Sequence, residues 1–369
     1  MNLIKTSRET LLKPLQAASG IIERRHTLPI LSNVLVTRLP ESIEFVATDI
    51  EIEITAISPI DYPGESKSFT VGARKFLDIL RALPEGSEIT LALADKRLQI
   101  RSGKSRFNLQ TLAAEDFPRF ASAEGSNVRV EVPQKMLRNL IELVQYAMAQ
   151  QDIRYYLNGL LMVIEDGTMK LVATDGHRLA FASEAVVGTE SMKQEVILPR
   201  KTVLELGKLL QDSGDPVQIE LSASQARFRF DSVVLVSKLV DGKFPDYTRV
   251  IPTEQQKKLR LNRLELLAVL QRAAILTSDK FRGVRWVLSD GTLKIICNNT
   301  EQEEAQEEIE VDYKGETLDV GFNVGYLLDV LNNLDVTEID CGLGNANSSA
   351  LITVPGRGDF RYVVMPMRI

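Results

Sequence analysis

Cysteine is scarce in this chain: Cys297 and Cys341 are the only two among 369 residues. A disulfide framework is therefore excluded, and the chain reads as a protein of a reducing compartment, the cytoplasm. Both cysteines sit in apolar, strand-like stretches, the setting of buried, inert thiols. Histidine is as rare, with His26 and His177 alone. There is no His-Glu-x-x-His, no paired Cys-x-x-Cys and no carboxylate loop of metal-ligand spacing, so no metal and no cofactor are expected. No apolar run reaches the roughly 18 residues of a membrane-spanning helix. Met1-Asn2-Leu3-Ile4-Lys5 lacks the apolar core and small-residue cleavage site of a signal peptide. Net positive charge is missing too: 44 Lys and Arg against 50 Asp and Glu leave −6, which argues against a generally adhesive nucleic-acid binder. An apolar content of 44% and a charged content of 25% are those of an ordinary folded soluble protein.

What the chain does have is one pattern written three times. An apolar strand-like run ends in a polar pair at Phe45-Val46-Ala47-Thr48-Asp49, at Leu171-Val172-Ala173-Thr174-Asp175 and at Ile295-Ile296-Cys297-Asn298-Asn299, with offsets of 126 and 124 residues. A second track opens a short amphipathic helix at Ala73-Arg74-Lys75-Phe76-Leu77, at Pro199-Arg200-Lys201-Thr202-Val203 and at Val324-Gly325-Tyr326-Leu327-Leu328. Each copy closes on an apolar residue and Pro: Phe117-Pro118, Phe244-Pro245, Met365-Pro366. Solenoid and propeller repeats run about 20–50 residues because one unit cannot bury its own core. A unit of about 120 residues is domain-sized. Three globular domains in a row are expected, at 1–125, 126–253 and 254–369.

Within a copy the order is helix, several strands, helix, several strands. Met136, Leu137, Leu140, Ile141 and Val144 follow the helical period after Pro133-Gln134-Lys135. Asp166-Gly167-Thr168 and Asp290-Gly291-Thr292 lie between apolar runs and predict type I′ hairpins, which need positive φ at both central residues. Pro14 inside the first helix predicts a kink or a late start. Each domain is thus α+β, with antiparallel sheets and two helices covering one face. The six helical segments, 8–25, 72–83, 133–148, 199–210, 262–276 and 323–334, carry a net +7, leaving −13 elsewhere. Basic helices on an acidic body suit a protein that holds DNA on one surface and repels it elsewhere. Solvated Lys and Arg on ordinary helix faces would give the same count.

Thr27-Leu28-Pro29-Ile30-Leu31, Asp152-Ile153-Arg154-Tyr155-Tyr156-Leu157-Asn158-Gly159, Ala173-Thr174-Asp175-Gly176-His177-Arg178-Leu179, Ser237-Lys238-Leu239-Val240-Asp241-Gly242-Lys243-Phe244-Pro245-Asp246-Tyr247, Lys280-Phe281-Arg282-Gly283-Val284-Arg285 and Val363-Val364-Met365-Pro366-Met367-Arg368-Ile369 closely resemble the bacterial sliding clamps, the beta subunits of DNA polymerase III. The resemblance runs the length of the chain. It implies a head-to-tail homodimer, a closed ring of six similar domains whose helices line a hole around duplex DNA, with no catalytic centre. It also implies a hydrophobic cleft that receives short linear motifs of the polymerase III catalytic subunit, the clamp loader, other polymerases and repair proteins.

By that resemblance the peptide cleft comprises Leu157, Thr174, Gly176, His177, Arg178, Leu179, Pro245, Arg249, Val250, Ser349, Val363, Met365, Pro366 and Met367, with Asn323 and Tyr326 at its edge. Met side chains and a Pro make an adaptable apolar floor, and Arg178 and Arg249 are placed to meet polar or acidic groups. Val363 to Met367 also reads as a plain buried last strand, since core and pocket look alike in sequence. Candidate DNA contacts are Arg24, Arg25, Arg74, Lys75, Arg81, Arg138, Gln150, Gln151, Tyr155, Tyr156, Arg200 and Lys201, gripping phosphates weakly and without base readout. Tyr155 and Tyr156 equally suit core or cleft. The implied dimer interface pairs Phe107 and Leu109 on an edge strand with Ile275 and Leu276 at a helix end, covering two sheet edges.

Enzymatic readings find little in the residues. Asp175 and His177 form a conceivable acid/base pair for a hydrolase, but no third partner is supplied. Ser102-Gly103-Lys104-Ser105 has the tail of a P-loop, yet Leu98 stands where its first Gly belongs. A non-ring interaction scaffold of clamp-like domains is the other alternative to a clamp.

Overall fold

The computed structural model of the protein describes residues 2–23, 28–62, 64–94, 96–121, 128–278 and 282–369. The element order repeats three times without variation. The first copy holds β1 (Asn2–Ser7), α1 (Arg8–Ala18), β2 (Asn33–Arg38), β3 (Ser42–Thr48), β4 (Ile52–Pro59), β5 (Lys67–Gly72), α2 (Ala73–Ala82), β6 (Glu88–Ala94), β7 (Arg97–Ser102) and β8 (Ser105–Leu112). The second holds β9 (Val128–Pro133), α3 (Gln134–Val144), β10 (Gly159–Glu165), β11 (Thr168–Thr174), β12 (Arg178–Ala185), β13 (Lys193–Pro199), α4 (Arg200–Leu209), β14 (Pro216–Leu221), β15 (Gln225–Phe230) and β16 (Val233–Lys238). The third holds β17 (Lys257–Asn262), α5 (Arg263–Ala273), β18 (Gly283–Ser289), β19 (Thr292–Asn298), β20 (Glu304–Glu310), β21 (Leu318–Asn323), α6 (Val324–Asn333), β22 (Glu338–Leu343), β23 (Ala350–Thr353) and β24 (Phe360–Val364). A strand precedes the first helix of each copy, which the helical periodicity alone does not reveal.

Two compact units emerge, 1–137 with 204–239, and 138–203 with 240–369, so the division runs through the second copy. The first unit carries a twelve-stranded antiparallel sheet in the order β1-β6-β7-β8-β5-β2-β3-β4-β16-β15-β14-β9. Helix α1 is capped by the Ser7 hydroxyl, which accepts from the Thr10 N–H at 3.3 Å, and buries Leu11, Leu15 and Ala18. Phe45 of β3 meets Phe76 of α2 with ring centroids 6.3 Å apart. The second unit has an eight-stranded sheet, β13-β10-β11-β12-β24-β23-β22-β17, and a four-stranded one, β20-β19-β18-β21. There α5 starts on Asn262, whose side chain accepts from the Glu265 N–H at 3.0 Å, and Trp286 packs edge-on against Phe322 at 5.4 Å.

Four sequence expectations are settled here. Helix α1 begins at Arg8 and runs through Pro14, which rules out the late start. Asp166 and Gly167 have φ of 50° and 73°, as a type I′ turn demands, whereas of Asp290 and Gly291 only Gly291 is left-handed, at 70°. Asp290 is not, so that turn is of another type. The Ser102–Ser105 segment is the hairpin turn between β7 and β8 and opens no helix, so it cradles no phosphate. Both cysteines are buried, and burial pushes the Cys341 thiol up to about 12.

Candidate functional site: an apolar cavity on the eight-stranded sheet

The site is organised by the turn between β11 and β12. The Thr174 hydroxyl donates to the Arg178 carbonyl at 2.6 Å and accepts from the Gly176 N–H at 3.1 Å. The Asp175 carboxylate accepts from the N–H groups of His177 and Arg178 at 2.9 and 3.0 Å, an Asx turn that fixes the chain reversal. Gly176 sits at φ +90°, and a Cβ there would come 3.0 Å from the Arg154 guanidinium, so only glycine fits comfortably. The turn places Leu179 opposite Thr174 on one side and opposite Val363 of β24 on the other. The C-terminal segment is held alongside, the Met365 N–H donating to the His177 carbonyl at 2.9 Å and the Met367 N–H to the Gly321 carbonyl at 2.8 Å.

Above this face runs the segment Val240–Ile251. With Leu161, Val163, Val172, Leu179, Phe181, Ile197 and Val363, its Phe244 completes a buried cluster against which Tyr156, Tyr247 and Val250 lie. Tyr247 stacks on Phe181 at 5.9 Å. The segment does not close flat on the sheet, because Asp246 caps its own turn, accepting from the Thr248 N–H at 3.2 Å and pairing with Arg249 at 2.9 Å. A cavity of about 180 Å³ remains between them, walled by Tyr156, Leu157, Leu179, Phe244, Pro245, Tyr247, Val250, Val363 and Met365, with Thr174, Gly176, Arg154 and Arg178 at its polar end. That volume holds about one or two apolar side chains and falls below the ~300 Å³ at which small-molecule substrate sites begin.

The charges around the cavity are committed internally. Arg178 donates to Asp175 at 3.2 Å, to the Tyr146 carbonyl at 2.6 Å and to Asp329, and lies over the Tyr326 ring at 4.4 Å. Burial works against its charge, but Tyr362 and Asp329 outweigh it and raise its pKa. Its guanidinium thus braces the turn while lying at the polar end of the cavity. Arg154 forms a bidentate pair with Asp152 at 3.0 and 2.9 Å, and the Arg154 hydrogen bonds hold that carboxyl down at about 2.

Of the cleft candidates, Leu157, Thr174, Gly176, Arg178, Leu179, Pro245, Val250, Val363 and Met365 line this cavity together. Exposed His177 and Arg249, with Ser349, Pro366 and Met367, lie outside the wall. Asn323 caps α6, accepting from the Gly325 N–H at 2.9 Å. Four further residues line the cavity: Arg154, Tyr156, Phe244 and Tyr247. The aromatic pair flanking Pro245-Asp246 is the sequence signal for two of them, and Tyr156 suits core or cleft by its sequence.

The remaining candidates divide by exposure. Arg74, Lys75 and Arg81 are exposed on α2, with Arg74 3.9 Å from Asp78. Arg138 pairs with Glu142 at 2.8 Å on α3. Arg200 is half-buried and donates to the Met148 carbonyl at 3.2 Å; burial first, and then the Arg178 charge, lower its pKa. Lys201 is half-buried, and Gln150, Gln151 and Tyr155 are exposed. Arg24 and Arg25 lie outside the described residues. Phe107 and Leu109 are half-buried on β8, Leu276 is half-buried and Ile275 is 77% exposed. Among the described residues no group of three or more His, Cys, Asp and Glu is placed to hold a metal, and no helix is long and apolar enough to cross a membrane.

Three domain families match in series: the N-terminal domain of the DNA polymerase III beta subunit over residues 1–121, its central domain over 131–246 and its C-terminal domain over 248–368. The beta sliding clamp of Pseudomonas putida is 45% identical and that of Vibrio cholerae 46% identical, each across 98% of both chains. A crystal structure of the Pseudomonas aeruginosa DnaN sliding clamp bound to griselimycin superposes with a TM-score of 0.96 at 43% identity over 99% of each chain. With three copies of one α+β domain and this match over its length, the chain belongs to the DNA polymerase III beta subunit family, the sliding clamps that act in DNA replication as non-catalytic processivity factors.

Proposed function

We propose that two copies of this clamp close head to tail into a ring of six domains, bounded near 1–125, 126–253 and 254–369 in each copy, around duplex DNA whose sequence they do not read. One observation carries the proposal. β4 pairs with β16 and β12 with β24, so the last strand of the inner hairpin series in one copy of the pattern is joined to the last strand of the next copy. By the same rule β20 calls for a β8. In a single chain β20 is a terminal strand, and Ser105 to Gln110 of β8 pair with β7 alone. The regions at the two edges have opposite charge: the β7–β8 hairpin, 96–112, holds five Lys and Arg and no acid, while 301–310 holds six Glu and no base. Complementary open edges favour pairing between copies.

The cavity at Leu157, Leu179 and Val363 receives apolar anchors of short linear motifs from the polymerase III catalytic subunit, the clamp loader, other polymerases and repair proteins. Its size, its apolar wall and the griselimycin-bound relative support this. Lys75, Arg81, Arg74 and Arg138, with Gln150, Gln151 and Tyr155, supply weak phosphate contacts in the cytoplasm. Replacing Ile275 and Leu276 together by Ala is expected to yield monomers, each truncation costing about 2–5 kcal/mol where the side chain is buried between copies. Sedimentation of the double variant as a dimer at micromolar concentration would remove these residues from the interface.

A further inference from the structure

The cavity has a counterpart in the first copy of the pattern, built on the same scaffold and filled differently. Thr48 donates to the Ile52 carbonyl at 2.8 Å and accepts from the Ile50 N–H at 3.0 Å, and Asp49 accepts from Glu51 and Ile52 at 2.9 and 2.8 Å. These are the bonds of the Thr174–Arg178 turn, down to the left-handed residue, here Ile50. Glu53 stands opposite Thr48 and Val236, as Leu179 stands opposite Thr174 and Val363. The Lys238 N–H donates to the Glu51 carbonyl at 3.0 Å, as that of Met365 does to His177. Leu35, Val46 and Phe117 form the buried cluster that Leu161, Val172 and Phe244 form in the second copy.

Two of the differences bear on how the crossing segment is held. In place of Leu179 is Glu53, and in place of Asp246 is Arg119. The Glu53 carboxylate, 6% exposed, accepts from Arg119 Nε at 3.2 Å and from the Phe120 N–H at 3.0 Å. Both donors belong to the crossing segment, so they draw it down onto β4. In the second copy Asp246 turns its hydrogen bonds inward on its own segment, and Leu179 offers none, so the segment stands off and the cavity stays open. The third copy also has Glu at this place: Glu304 stands opposite Asn298. We infer that the residue pair 53/119 against 179/246 decides which junction accepts a peptide, and that Glu53 with Arg119 keeps the first junction closed so that each protomer has a single site.

The inference rests on the peptide-cleft reading, and the test separates the two. A fluorescein-labelled peptide carrying Gln, Leu and a terminal Leu-Phe pair is titrated against the full-length dimer. Leu179→Glu with Asp246→Arg is expected to weaken binding at least thirtyfold, and Glu53→Leu with Arg119→Asp to raise the stoichiometry from one peptide per protomer to two. If either pair fails to fold, Leu179→Gln with Asp246→Arg and Glu53→Ala with Arg119→Ala carry the same expectations, with dimer mass and circular dichroism as the check of folding. Wild-type affinity in the folded closing variant, or one peptide per protomer in the folded opening variant, overturns the inference. A wild-type protein that binds no such peptide overturns the cleft reading itself.

Discussion

At residue 50 the chain holds a β-branched side chain at φ 71°, the place where Gly176 sits in the second copy. Such a conformation costs about 1–3 kcal/mol in a non-glycine residue, and Ile50 is 47% exposed, so little burial offsets it. Ile50→Asn, which tolerates the left-handed region, is expected to raise unfolding stability by about 1 kcal/mol in urea titration; an unchanged midpoint would mean the turn relaxes around Ile. The Asp152–Arg154 pair gives a pH prediction. The Asp152 pKa is lowered from 3.8 to about 2 by the Arg154 bonds, so the folded form favours the carboxylate. Its contribution is complete above about pH 4 and is lost as the pH falls through about 2. Unfolding stability in urea should owe no change to Asp152 between about pH 5 and 8 and should decline as the pH falls from about 4 towards about 2; Asp152→Asn should remove that acid step. Much of the site was legible at this scale, because Leu157, Leu179, Val363 and Met365 stand in recognisable motifs. The internal commitment of Arg178 was not: its partners Tyr146 and Asp329 lie 32 and 151 residues away.

Among the elements, the last five residues do more than end β24. Met367 forms an isolated antiparallel bridge to Gly321, and the Ile369 side chain packs where Cβ atoms on Gly283 and Gly321 would intrude, at 3.0 and 2.6 Å. Deleting Met365 to Ile369 removes one cavity wall and strips cover from the two glycines. Peptide binding by fluorescence polarisation should be lost while the dimer mass is kept; retained wild-type affinity would move the anchor pocket away from the tail. Helix positions were read from the sequence to within about four residues, since apolar periodicity marks the buried face, except that α1 ends at Ala18 and not near 25. What sequence could not supply is pairing between distant strands. Neither the β4–β16 nor the β12–β24 ladder has a local signature, and it is the second of these that sets Leu179 beside Val363.

For the whole molecule, the proposed ring makes the contrast between net-basic helices and an acidic remainder the feature that sets how DNA is held. Few phosphates can be met at once, so direct affinity is weak and salt-sensitive, and topology must supply the retention. Assembled rings should survive about 1 M salt on nicked circles and slide from the same DNA once linearised. Charge reversal at Arg74, Lys75 and Arg81 should reduce loading at least several-fold without changing dimer mass or peptide affinity; nanomolar, sequence-dependent binding to short linear duplex would defeat this account. The unlike edges of β8 and β20 bear on assembly as well. Contacts between unlike surfaces do not end by themselves: a chain with one of each kind continues until geometry returns it to its start. If a substitution changes the angle at that joint without weakening it, the product should be neither monomer nor dimer but a growing filament, and electron microscopy of joint variants that elute in the void volume would reveal helical polymers of the clamp.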